Sequence, residues 1–275
     1  MGAVVLGLAS GLSWGVADFL GGVASRRAAP FAVVALSQAA GLVVALLAAA
    51  VIRPDLPPPD KALLGAAAGV AGVVGLMAFY RALSVGSMSV IAPISALGAV
   101  VPVAVDLLAG DAPAAVVLSG MLIALAGAAL VARAPGPASR AGTGLAVVAA
   151  LGFGGFFSLL AEAADGESAL WSLITARGAS VPVALAVCAV VGASVAIRGR
   201  LLLIVALAGV LDASANLMFA AGSQRGLTSV VAVLGSLYPV TTVALAAVLL
   251  HERLGRLQAV GAGFALAGVA MIAAG

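Results

Sequence analysis

Long apolar runs recur along the whole chain, and no other feature restricts its fold as strongly. Runs of roughly 20 apolar residues are long enough, as helices, to cross the ~30 Å hydrocarbon core of a bilayer. Of the 275 residues, 64% are hydrophobic and only 8% are charged. About a quarter of the residues in a soluble domain are charged, so a soluble fold could not hide this much apolar surface. The sequence predicts a polytopic membrane protein with essentially no soluble part.

Breaks rich in proline, glycine and charge divide the chain into ten apolar segments. A helix satisfies its own backbone donors and acceptors inside lipid, and the period-two alternation of a membrane β-barrel is not seen. The predicted fold class is therefore an all-α membrane protein with ten transmembrane helices. In chain order, segments 1 to 10 cover 2–24, 30–52, 61–84, 87–108, 113–132, 142–163, 168–193, 200–222, 227–249 and 255–274.

Three stretches of the first half recur in the second half, in the same order. The longest match has seven of thirteen positions identical, and all three have offsets of 139 to 141 residues. The pairs are GMLIALAGAALVA (120–132) with GAGFALAGVAMIA (261–273), LSWGVADFL (12–20) with LGFGGFFSL (151–159), and FYRALSVG (79–86) with FAAGSQRG (219–226). The chain is therefore predicted to consist of two five-helix repeats, residues 1–137 and 138–275.

An odd number of helices in each repeat makes the second copy enter the membrane from the opposite side. The predicted architecture is thus a pair of inverted repeats, as in many secondary transporters. Basic residues concentrate in the connections 1–2, 5–6, 7–8 and 9–10, which hold Arg26, Arg27, Arg133, Arg140, Arg198, Arg200, Arg253 and Arg256. The opposite side has only Arg53, Lys61 and Arg225. The positive-inside rule then predicts that both termini lie outside the cytoplasm.

Four short motifs stand at matching places in this ten-helix pattern. They are SWG at 13–15, FYRAL at 79–83, a proline in the fourth segment of each repeat, and LLHER at 249–253. With them the chain resembles the drug/metabolite transporter superfamily, specifically its ten-helix EamA-type members. It departs from that pattern where Gly110 and Asp111 follow segment 4, since the family usually has a Glu there. Pro102 is also about three residues out of register with Pro239.

The resemblance implies a secondary transporter of a small organic solute in the bacterial inner membrane. The implied solute is an amino acid or a related metabolite, and the implied direction is export. Pro102 and Pro239 remove backbone hydrogen bonds within their helices and are candidates for gating, although neighbouring groups can also leave such kinks rigid. A membrane scaffold or receptor without transport activity is the alternative. The coupling ion stays open, with a proton as one possibility. Membrane lipid is the other expected partner.

Signatures of other chemistry are absent from the sequence. It contains no phosphate-binding Walker loop and no Ser/His/Asp set. The single histidine, His251, cannot build a metal site, and the single cysteine, Cys188, cannot form an intrachain disulfide. We therefore expect no enzymatic activity, no cofactor, no metal and no nucleic-acid partner.

Charges inside the predicted helices cost about 2.5–3.5 kcal/mol each on insertion scales, so each needs a reason. Asp18 shares one face of segment 1 with four glycines, which predicts that it points into protein. A structural link and a functional role are both open for it. Asp212 lies in the middle of segment 8, on one face with Asn216 and Phe219. It either lines a cavity or forms a structural pair with an available cation, Arg177 or Arg81.

Aromatic and amide side chains complete the predicted site. Trp14 and Tyr80 flank glycine-rich faces and are candidates for packing against an apolar solute, whereas Trp171 is expected to anchor at the interface. Gln38 is expected to hydrogen-bond between helices. Two aspartates against one or two arginines predict a cavity that is close to neutral, which favours zwitterionic or mildly cationic solutes over phosphates.

Overall fold

The computed structural model describes residues 1–85, 91, 94–131, 140–249 and 255–274, and these residues contain helices and no strand. The predicted ten-helix fold is confirmed, with the ninth helix in two pieces. The helices are α1 (Gly2–Ser25), α2 (Pro30–Ile52), α3 (Pro59–Val85), α4 (Ile94–Ala109), α5 (Ala115–Val131), α6 (Arg140–Ala164), α7 (Ala169–Val191), α8 (Gly199–Ser223), α9a (Thr228–Gly235), α9b (Tyr238–Leu249) and α10 (Arg256–Ala274). The proposed repeat boundary at 137/138 and the residues His251, Arg133 and Arg253 lie outside the described residues.

Six of these helices are long and apolar enough to cross a membrane. They are α1, α2, α3, α6, α7 and α8, and each has at least 23 residues in the spanning part. The apolar stretches of the other helices are shorter, at 94–109, 115–130, 228–242 and 259–274. Both repeats therefore place their long helices first and their short helices last, as duplicated halves should.

The fourth helix of each repeat is interrupted just before its proline. In α4 a 3₁₀ turn, Leu97–Ala99, precedes Pro102. In the second repeat the break falls at residues 236–237, immediately before Pro239. Proline has no N–H to continue the hydrogen-bond ladder, so a helix is weakest there. A glycine stands four residues before each proline, Gly98 before Pro102 and Gly235 before Pro239, although the two prolines are out of register.

Contacts between helices follow a pseudo-two-fold relation between the repeats. Helix α1 packs along α8 and against both parts of α9, and its counterpart α6 packs along α3 and against α4. Helix α2 likewise packs against α7 and α8, and α7 against α2 and α3. At one matched pair of crossings, Gly69 lies against the backbone of Ala176 and Gly209 against the backbone of Ser37. A side chain at either glycine would collide with that backbone, so these glycines set the helix separation.

The duplicated phrase forms the contact between α5 and α10. A Cβ atom added to Gly120 would lie 2.8 Å from the carbonyl oxygen of Gly268, and one added to Gly268 would lie 2.5 Å from that of Gly120. Gly127 lies equally close to Gly261 and Ala265. The two helices run antiparallel, and Gly120, Gly127 and Gly268 each lie against the copied phrase on the other helix. The phrase therefore occurs twice because the helix surface that it forms on α5 packs against the copy of that surface on α10.

Candidate functional site

A cavity lies between the two repeats, at the middle of the long helices. It has an empty volume of about 550 Å³, which includes open solvent at its mouth. Helices α1, α2, α3, α6, α7, α8 and α9b all contribute to its wall. The lining residues are Trp14, Asp18, Gln38, Gly69, Gly72, Val73, Leu76, Phe153, Phe156, Phe157, Arg177, Asp212, Asn216 and Tyr238.

An ion pair between Arg177 and Asp212 lies in the wall of the cavity. Nη2 of Arg177 donates to Oδ2 of Asp212, and Nη1 donates to Oε1 of Gln38. Ser180 Oγ donates to the same Gln38 oxygen at 2.8 Å. The arginine side chain is 6% exposed and the aspartate 22%, so the carboxylate is the partner that faces the open space. This network joins α2, α7 and α8, and it confirms the prediction that Gln38 links helices.

Asn216 lies one turn beyond Asp212 on α8. Its Nδ2 donates to the main-chain oxygen of Asp212 at 2.7 Å and to Oδ2 of the same residue at 3.3 Å. Both partners are acceptors, so the amide orientation is fixed with Oδ1 on the other side. Oδ1 is buried and has no hydrogen-bond partner among the described residues. A buried acceptor without a partner is costly, so this side chain is held in place at the expense of one hydrogen bond.

Asp18 lines the same cavity from α1. The hydroxyl of Tyr80, a residue of α3, donates a hydrogen bond to its carboxylate. The absence of a side chain at Gly21 makes this possible, since a Cβ there would lie 2.8 Å from Cζ of Tyr80. Tyr80 is 5% exposed and does not line the cavity itself. Tyr80 therefore holds the Asp18 carboxylate through this hydrogen bond without lining the cavity.

Three aromatic rings from three helices meet at one end of the cavity. The ring centroid of Trp14 lies 5.4 Å from that of Phe157 and 5.9 Å from that of Phe219, and the two phenylalanines are 5.0 Å apart. We call Trp14, Phe157 and Phe219 the aromatic triad. Phe219 is fully buried within it. Through these ring contacts the triad packs α1, α6 and α8 against one another.

A second, more polar pocket lies beyond the triad. On α8, Asn216 lines the central cavity and Ser223 lines this outer pocket, with Phe219 between them. On α6, Phe157 lines the first and Ala161 the second. The outer pocket is lined by Pro102, Val105, Asp106, Ser158, Ala161, Glu162, Asp165, Ser223, Gln224 and Thr228. The aromatic triad is thus the layer that separates the two spaces.

The structure places most of the predicted site residues together. Trp14, Asp18, Asp212, Asn216 and Arg177 all line the central cavity, and Tyr80 and Phe219 stand directly behind the lining. Of the remaining predicted site residues, Pro102 and Pro239 are buried at the helix breaks, and Arg81 is exposed. The cation that pairs with Asp212 is Arg177, one of the two that the sequence offered.

The aromatic wall of α6 was missed from the sequence. Phe153, Phe156 and Phe157 line the cavity, but phenylalanine in a membrane helix faces lipid as readily as protein. The repeat alignment carried a usable signal, because it pairs Phe153 with Trp14 and Phe157 with Asp18.

The two halves contribute unequal chemistry to the cavity. When the two repeats are aligned at offsets of 139 or 140 residues, each polar lining residue of one repeat is aligned with a residue of another type in the other repeat. Five aligned pairs line the cavity, and they are Trp14 with Phe153, Asp18 with Phe157, Gln38 with Arg177, Gly72 with Asp212, and Leu76 with Asn216. One wall, from α1, α7 and α8, is therefore charged, and the wall from α3 and α6 is apolar.

Inverted repeats of membrane helices with a polar cavity between them define the class of multi-pass membrane transport proteins. The model of the EamA-like transporter family matches residues 1–133 and 140–274. The chain belongs to the EamA-like transporter family, with one copy of the family domain in each half. Members of this family are not, in general, enzymes.

Comparison with solved structures supports the same fold. One crystal structure superposes with a TM-score of 0.80 over 98% of this chain and 98% of the matched chain, at 19% sequence identity. No curated protein matches the chain.

Proposed function

We propose that this protein is a secondary transporter that exports a small organic solute, an amino acid or a related metabolite, across the bacterial inner membrane. The solute binds in the central cavity, with Trp14, Asp18, Asp212 and Asn216 in contact with it. One observation carries the proposal: a largely buried ion pair, Arg177 with Asp212, lies in the wall of a cavity between two inverted repeats. Intramembrane charges turned towards a cavity are typical of solute pathways.

Alternating access needs a barrier on each side of the site that opens in turn. The aromatic triad is the proposed barrier towards the outer pocket, because it is one turn of helix thick on both α6 and α8. The interrupted helices α4 and α9 are the proposed moving parts. Gly235 at the end of α9a packs against Trp14, where a Cβ would lie 2.8 Å from Cζ3 of the indole. A tilt at the break before Pro239 would therefore be transmitted to the triad.

The orientation of the chain follows from the distribution of arginine. With both termini outside the cytoplasm, the outer pocket opens on the non-cytoplasmic side, where the connections 6–7 and 8–9 lie. Its lining includes three carboxylates, Asp106, Glu162 and Asp165. Asp106 also accepts a hydrogen bond from the backbone N–H of Ser229 at 2.8 Å, which links α4 to the start of α9a.

Solute uptake into liposomes that contain only this protein tests the proposal. A thermal-shift screen of amino acids, amines and related metabolites selects the solutes, since a ligand of the folded state raises the melting temperature. We expect saturable uptake of at least one stabilising solute and its loss in Asp212→Asn. Asp55→Asn, in the exposed connection between α2 and α3, is the matched control and should transport normally.

A scaffold or receptor without transport is the second candidate, because the same polar network also joins three helices. In that case some solutes could stabilise the protein, but none would enter the liposomes. Uptake by no solute of the panel would favour the scaffold over the transporter.

A further inference from the structure

We propose that Asp106 is a positioning residue of the outer barrier: its carboxylate caps α9a from the other repeat and thereby holds the aromatic triad closed towards the outer pocket. This inference rests on the proposed role of the triad as a barrier in transport, and it names the residue that controls that barrier. It follows from how the two ends of α9a are attached and from a difference between the repeats.

The N-terminus of α9a takes its cap from another helix. A helix leaves the N–H groups of its first turn without partners inside the helix. The preceding residue, Leu227, provides no side-chain cap, and the backbone N–H of Ser229 donates instead to Oδ2 of Asp106 at 2.8 Å. A carboxylate at this end also interacts favourably with the helix dipole. Because Asp106 belongs to α4 of the first repeat, this cap joins the two repeats.

The cap is also the polar contact that fixes the position of α9a. Among the described residues, it is the one hydrogen bond between α9a and a neighbouring helix, and the buried hydroxyl of Ser229 has no partner there. The side of α1 that faces α9a carries glycine. A Cβ at Gly7 would lie 3.0 Å from Cβ of Leu234, and one at Gly11 would lie 2.7 Å from the Leu234 carbonyl oxygen. These glycines have no side chain that could interlock with α9a and hold it along α1.

The other end of α9a contacts the triad. Its last residue, Gly235, lies against the indole of Trp14, and the Trp14 ring is 5.4 Å from that of Phe157. The helix has eight residues, which makes it about 12 Å long. A helix of two turns moves as one piece between the connection before it and the break at residues 236–237. Loss of the cap therefore lets α9a move away from Trp14 and opens the barrier.

The second repeat has no equivalent of this cap. At offsets of 139 and 140 residues, the positions aligned with Asp106 hold Leu245 and Ala246, and alignment on the two prolines gives Val243. None of these side chains can accept a hydrogen bond. The cap therefore belongs to the non-cytoplasmic barrier alone, and the two sides of the transporter are controlled by different contacts.

Iodide quenching of Trp14 fluorescence tests the inference. The chain has two tryptophans, so Trp14 is the one reporter in a Trp171→Phe background. The full-length protein is placed in sealed, oriented vesicles, and iodide is added to the non-cytoplasmic face. We expect Asp106→Ala to raise the quenching constant by about fivefold over this background, as the loss of one helix cap allows. An unchanged quenching constant would overturn the inference. If the melting temperature falls without added quenching, Asp106 has only a structural role.

Two matched variants separate the cap from the charge of the pocket. Asp106→Asn keeps an acceptor oxygen, and asparagine caps helices as well as aspartate does, so its quenching should equal that of the background. Asp165→Ala removes a carboxylate from the same pocket, in the connection between α6 and α7, and should also leave quenching unchanged. An equal rise in either of these variants would show that lost negative charge admits iodide, and it would contradict the inference.

The liposome assay separates this inference from the proposed function. If the protein transports a solute while Asp106→Ala is quenched like the background, the cap does not control the barrier and transport stands. If quenching rises as expected but no solute of the panel enters the liposomes, the control by Asp106 stands and the proposed function is wrong.

Discussion

Replacing Asp212 separates the structural and the functional contribution of the buried ion pair. The variants Asp212→Asn and Asp212→Leu differ in the hydrogen-bond acceptor that they leave for Arg177. In Asp212→Asn, an amide oxygen can still accept from Nη2 of the arginine. In Asp212→Leu nothing replaces the carboxylate, and the guanidinium, 6% exposed, is left with Gln38 as its one described side-chain acceptor. Both variants should lose solute transport, but their stabilities should differ.

The magnitudes follow from burial. Removing one partner of a buried ion pair costs about 3–5 kcal/mol, because the other charge stays buried. A hydrogen bond to a charged group recovers about 1.5–3 kcal/mol of this loss. We therefore expect Asp212→Leu to lower the free energy of unfolding by about 3–5 kcal/mol and Asp212→Asn by about 1–3 kcal/mol. The double variant Arg177→Gln with Asp212→Asn buries no charge, so it should be more stable than Asp212→Leu.

Denaturant unfolding in detergent, followed by tryptophan fluorescence, measures these differences. Asp55→Asn should change the free energy of unfolding by less than about 0.5 kcal/mol, as surface substitutions do. The reasoning fails if Asp212→Leu is as stable as Asp55→Asn, or if the double variant is the least stable of the set. Normal transport by Asp212→Asn would remove this carboxylate from the solute site.

Three further changes test other parts of the structure. Gly127→Ala should lower the melting temperature, because its Cβ would lie 2.7 Å from the carbonyl oxygen of Gly261. The control Gly263→Ala meets nothing within 4 Å, so it should leave the melting temperature unchanged or raise it slightly. Phe219→Ala should thin the aromatic triad and raise passive leak of solute from loaded liposomes, and an unchanged leak would show that the triad is not the barrier. Lys61→Met should change stability by less than about 1 kcal/mol, since its partner Glu162 is 61% exposed and such pairs contribute little.

The sequence was sufficient for the fold because the physical constraints of a membrane act on short segments. Spanning length, helix formation and duplication are each visible without any knowledge of long-range contacts. Most of the charged lining was also predictable, since Asp18 and Asp212 are too costly to place in lipid. The break in α9 was not predicted, because Pro239 can equally be accommodated inside a continuous helix.

The rest of the site depends on which helix faces meet. Arg81 and Arg177 were equally available partners for Asp212 in the sequence, and only the packing of α7 against α2 and α8 selects Arg177. The wall formed by Phe153 and Phe156 was missed for the same reason. Periodicity tells which residues share a face of a helix, but the neighbour of that face is a property of the assembled bundle.

Access to the cavity from both sides of the membrane tests the transport mechanism most directly. Leu76 lines the cavity, and the single native cysteine, Cys188, is only 3% exposed. Leu76→Cys in a Cys188→Ala background can therefore be labelled with a membrane-impermeant thiol reagent, added to either face of oriented vesicles. Asp55→Cys in the same background should react from the non-cytoplasmic face alone. We predict that Leu76→Cys reacts from both faces and that bound solute protects it. Reaction from a single face, with and without solute, would contradict alternating access through this cavity.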